Sequence, residues 1–195
     1  MSNSNETSLK NNAEYVLGVI VDEHRQQCQF DPEADPTAKL NFETTVIEWR
    51  VACDLVGWRK LGHAINQRWG LSHNDEEWFS VFEPEEERTL WDICKFIAKD
   101  VVPPQLSAVK ILGRDCLEAG IFRQIQGLLK EAGANVSNLT PSTCLDEYAR
   151  HYFDVFVGPI SRLAPNAIPL VKVSRPWYKV FMWGLLLEPI SKILF

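Results

Sequence analysis

The side chains best suited to chemistry are four histidines (His24, His63, His73, His151) and five cysteines (Cys28, Cys53, Cys94, Cys116, Cys144). Their spacing matches no common catalytic or metal site. There is no HExxH, no GxSxG, no Walker-type phosphate loop and no GxGxxG. No two cysteines are close enough for a CxxC site. Two assignments keep an enzyme in view. Cys116, in RDCLEAG, stands two residues from Arg114, and a nearby cation favours the thiolate. It also opens the apolar stripe of a helix, so packing is its expected role. His151 lies between Arg150 and Tyr152, as a general base or as an ordinary capped or surface histidine. Asp146 and Glu147 are adjacent and do not face each other, which rules out an acid–base pair. The expectation is a protein with no catalytic residue, no cofactor and no metal.

The background to these residues is that of an ordinary globular chain. It has 195 residues, 46% hydrophobic and 24% charged, enough to bury a core without disulfides or metal. A net charge of -6 argues against nucleic acid as a partner. Acids crowd the stretch from Asn74 to Asp100, and bases dominate from Arg150 to Phe195. The acidic residues Glu83, Glu85, Glu86, Glu87 and Asp92 form a candidate face for a basic partner through charge complementarity. The competing reading is a solvated loop whose carboxylates favour the start of the next helix.

The elements that must position these groups read as mostly α, a single-domain helical bundle with one or two short strands. Residues 1–13 are polar and are expected to form a disordered tail. YVLGVIVDE, residues 15–23, is too short for periodicity to separate strand from helix. FDPEADPTAK is a loop. Helices are expected over NFETTVIEWRVACDLVGW, with Val46, Ile47, Val51 and Leu55 inward, and over RKLGHAINQRWG, closed by Gly70. A helix opened by Asn74 follows, and another opened by Thr89 with Asp92 three residues on, as in a capping box. PPQLSAVKILG reads as an extended linker. The next helix carries Leu117, Ile121, Ile125 and Leu128 as its stripe and ends at Gly133. Thr140–Pro141 marks a further helix start. The helical domain is drawn at 14–175. Tryptophans at Trp49, Trp58, Trp69, Trp78 and Trp91 are expected to anchor these helices to a common core, with a ligand groove as the alternative.

The remaining segment, 176–195, is apolar and flanked by bases. Its unbroken apolar run, Val180 to Leu187, is too short to span a bilayer. It either packs as a terminal helix or lies on an anionic membrane surface. In the second case Trp177, Tyr178, Lys179, Phe181, Trp183 and Lys192 are the candidate contacts.

The stretch DLVGWRKLGHAINQRWG, Asp54 to Gly70, resembles the second helix of acyl carrier proteins, and RTLWDICKFIAKD resembles their last helix. The likeness covers residues 54–99. In carriers the residue after the aspartate is the serine that accepts the phosphopantetheine phosphate. Here it is Leu55, which has no nucleophile. The resemblance therefore implies a carrier-like helical fold without a prosthetic group.

These readings lead to a non-catalytic protein-binding module. The alternative is a peripheral membrane protein anchored by 176–195. The N-terminal residues hold no apolar core of a signal peptide, and the five cysteines follow no disulfide pattern. The expected compartment is the reducing cytoplasm.

Overall fold

The computed structural model describes residues 2–170. The candidate membrane contacts Trp177, Tyr178, Lys179, Phe181, Trp183 and Lys192 lie outside that range. The fold is mostly α, with one two-stranded hairpin among the described residues. The chain groups into two compact units. One holds the residues up to Val102 together with Pro169 and Leu170; the other is Pro103–Ile168. The range 14–175, read as one helical domain, runs through both.

The first unit contains α1 (Ser2–Gln27), α2 (Val46–Ala52), α3 (Trp58–Trp69), α4 (Asp75–Phe82) and α5 (Leu90–Ile97). Helix α1 corrects the expected disordered tail at 1–13 and decides for helix over 15–23. Its cause is a stripe at Leu9, Ala13, Val16 and Ile20, spaced four, three and four, which shares one helical face. Ala13 and Val16 are fully buried, and α1 packs along α5. Ser8, Asn11 and Glu14 point outward and give the segment its polar composition. Asn12 Nδ2 donates to Ala98 O at 3.5 Å, just beyond the end of α5.

Helix α2 is shorter than its apolar spacing indicated. A capping box starts it: Glu48 N–H donates to Thr45 Oγ1 and Thr45 N–H to the Glu48 carboxylate. It stops at Ala52, and Asp54 then adopts a left-handed φ of 45°, a conformation aspartate tolerates better than most residues. Val51 is therefore exposed, and Leu55 sits in the turn before α3 rather than on a helix. Gly57 is the N-cap of α3, and Gly70, at φ 67°, closes it as expected. Asn74 with Glu77 and Thr89 with Asp92 open α4 and α5.

The core of this unit is built from Trp78, Phe82, Leu90, Ile93 and Ile97, with Val46, Trp49, Leu61 and Ile65 around them. Trp49 and Trp78 are buried anchors, while Trp58, Trp69 and Trp91 pack at its edge.

The second unit corrects three expectations. The supposed linker contains β1 (Val109–Ile111), paired antiparallel with β2 (Arg114–Cys116) across Leu112–Gly113. Helix α6 (Leu117–Glu131) buries Gly120 and Leu129 and packs through Phe122, Ile125 and Leu128, so its inner face is rotated away from Leu117, which is exposed. Gly120 is required there: a Cβ would meet Ser107 O at 1.8 Å. Residues 141–143 form a turn, and α7 (Asp146–His151) begins five residues after Pro141. Short helical turns at Phe153–Val155, Phe156–Ile160 and Ser161–Leu163 complete the unit. They cover a small core of Leu129, Leu139, Val155, Phe156 and Ile160.

Candidate functional site

The side chains singled out for chemistry are dispersed. His24 is buried on α1, its Nε2 3.3 Å from Cys28 Sγ one turn on. His63 Nε2 meets Asp75 Oδ1 at 2.8 Å on the surface, and this hydrogen bond is the main reason the Asp75 carboxyl lies below its ordinary range. His73 is wedged against the rings of Trp78 and Phe96. Its Nε2 lies 3.2 Å from Asp100 Oδ2 without hydrogen-bond alignment. His151 Nδ1 donates to Glu147 O at 2.9 Å within its own helix. Among the described residues, no group of three or more His, Cys, Asp or Glu converges as a metal site.

The cysteines are unpaired. Burial pushes the Cys53 thiol up to about 12 and the Cys94 thiol higher still. Cys28 is also raised, chiefly by burial. Cys116 caps the start of α6, and its thiol donates to Glu118 Oε2 at 3.4 Å.

Leu55, the residue at the carrier-type position, has a packing role. It lines a cavity of about 30 Å³ together with Ile20, Trp49, Cys53, Leu61 and Ile97. That volume holds about one or two water molecules. Glu23 and Arg68 also line it and form an ion pair: Arg68 donates to Glu23 Oε1 through Nε at 2.7 Å and through Nη2 at 2.5 Å. Both side chains are largely buried. The pairing ties α3 to α1.

The candidate face of Glu83, Glu85, Glu86, Glu87 and Asp92 is divided by the fold. Glu85 pairs with Arg50 of α2. Asp92 accepts from Thr89 N–H at 3.0 Å and from its hydroxyl at 3.3 Å, and so serves as a helix cap. Glu83 is half-buried, and its backbone carbonyl accepts from Arg88. Glu86 and Glu87 face solvent. The acidic run is thus mainly a folded turn, with two carboxylates left outward.

On α4, the helix that leads into that turn, lies a feature the sequence reading missed. Phe79 of α4 is 53% exposed and stands edge-on to Trp58 of α3, with ring centroids 5.5 Å apart. Arg59 stacks over Trp58 at 4.8 Å, and its Nε donates to Asp75 at 2.8 Å. Glu76 is exposed one turn before Phe79, on the same side of α4. The surface therefore has an aromatic centre and carboxylates at its margin.

Asn66 fixes this arrangement from beneath. Its Oδ1 accepts from Trp78 Nε1 at 3.2 Å and from His73 N–H at 3.3 Å, while its Nδ2 donates to His73 O at 2.6 Å. One side chain thus holds both the α3–α4 turn and the indole next to Phe79.

Among the described residues, no helix is long and apolar enough to cross a membrane. Compared with protein families, with curated proteins and with solved structures, the chain matches none.

Proposed function

We propose that the protein is a non-catalytic binding module that holds another protein on the α3–α4 surface. The observation that supports this most is an exposed Phe79 of α4 set against Trp58 of α3. Aromatic groups of this kind supply binding energy at the centre of interfaces. Glu76, one turn before Phe79 on α4, and the exposed Glu86 and Glu87 of the turn that follows α4 favour a basic partner, whose approach they orient. The partner segment is one that offers an apolar side chain to Phe79 and lysine or arginine to the carboxylates.

In this reading the carrier-like stretch Asp54–Gly70 works without a prosthetic group. Leu55 fills the core, and Trp58 contributes to the surface. The unpaired thiols suit a reducing compartment, which supports the cytoplasm as the location in this proposal.

Quantitative affinity capture from the source cell tests the proposal. Wild type is compared with Phe79→Asp, with Glu86→Lys/Glu87→Lys, and with Glu14→Lys as an exposed control on α1. A basic protein retained by wild type and by the control, and lost from the other two, supports the α3–α4 surface. Equal retention by all four chains refutes it.

A further inference from the structure

The β1–β2 hairpin ends in a residue that its position disfavours twice. Leu112 is fully exposed, and its φ is 49°, in the left-handed region. Two-residue hairpin turns of this kind are normally made by asparagine, aspartate or glycine, because a branched side chain is strained there. Leucine also gains nothing from water. Ile111, beside it, is 45% exposed, and Leu117, where α6 begins, is 44% exposed. Three aliphatic side chains thus stand in solvent in and beside a narrow projection.

The strand register sets the charges around them. Ile111 pairs with Arg114, so the rung nearest the tip carries a cation and no anion. The next rung back pairs Lys110 with Asp115 and is balanced. Leucine and isoleucine at the point with arginine at the same depth is the pattern of a short segment that enters a lipid interface: aliphatic groups among the upper acyl chains, and the guanidinium at the phosphates. A convex tip finds its fit in a deformable surface more readily than in a rigid cleft.

We propose that the hairpin tip, Ile111–Leu112 with Arg114, is a contact for a membrane surface bearing anionic headgroups. The tip residues are distinct in sequence from those of the α3–α4 surface and from residues 176–195.

The test is sedimentation of the full chain with vesicles of phosphatidylcholine alone and of phosphatidylcholine mixed with phosphatidylserine. Leu112→Asn and Leu112→Gly both suit the turn, so they leave melting unchanged or raise it. Each is expected to weaken partitioning into the mixed vesicles at least roughly tenfold, the effect of withdrawing one buried leucine. Arg114→Gln is expected to weaken it about fivefold, with no change on phosphatidylcholine alone. The proposal is overturned if the Leu112 variants pellet as wild type does, since retention then belongs to another segment. It is equally overturned if wild type stays in the supernatant with both vesicles, which would leave a protein pocket as the occupant of the tip.

Discussion

Gly62 of α3 and Trp78 of α4 meet so closely that a Cβ on the glycine would stand 2.7 Å from the indole Cγ and 2.8 Å from Cδ1. The missing side chain forms the notch that seats the largest fully buried residue of the first unit. Because consecutive helical residues point about 100° apart, seating Trp78 inward turns Phe79 outward beside Trp58. The same contact therefore holds the core together and displays the binding surface.

Gly62→Ala forces the indole or the helix to shift, since neither Trp78 nor its neighbours have room. We expect a loss of roughly 1–3 kcal/mol in stability, as for other overpacked cores. Urea titration followed by tryptophan fluorescence measures it.

The Glu23–Arg68 pair at the cavity predicts a non-additive result. Arg68→Met alone removes the ion pair from a largely buried carboxylate and is expected to cost about 3 kcal/mol. The double variant Glu23→Leu/Arg68→Met replaces the pair with apolar groups against an apolar cavity wall, and should recover most of that loss. A double-mutant cycle in urea separates the two outcomes.

Thiol reactivity should rank by burial. At about pH 8, Cys144, which is exposed, is alkylated first, while Cys53 and Cys94 stay unmodified until the chain unfolds. Peptide mass mapping after a timed iodoacetamide pulse reads the order. Cys53 also gives a pH dependence. Its folded value of about 12 lies above the ordinary 9.0, so the unfolded chain loses this proton first as pH rises. Its contribution to stability is complete below about pH 9 and is lost as pH climbs towards 12. Cys53→Ala should flatten that part of the alkaline stability curve.

What could be read from the sequence was local. Asn74 with Glu77, Thr89 with Asp92, and Gly70 after Trp69 are short-range spacings of residue types whose geometry follows directly from helix ends. The N-terminal half of helix α1 was hidden because its apolar residues are few, and their value comes from packing along α5, far away in sequence. The acidic run was visible as composition, yet the pairing of Glu85 with Arg50 is a tertiary contact that no spacing encodes. The hairpin was missed because its turn is Leu-Gly rather than Asn-Gly. The exposure of Phe79 carries no sequence signal, since only the seating of Trp78 in the Gly62 notch decides which of the two neighbours faces out.

The α3–α4 surface is tested most directly by a photo-crosslinking amino acid placed at position 79 in the source cell, with the same group at the exposed position 14 as reference. We expect one dominant adduct from position 79, to a basic protein, absent from position 14 and reduced when Glu86 and Glu87 are both changed to lysine. No adduct at position 79, or the same adducts from both positions, would contradict a binding surface centred on Phe79 and Trp58.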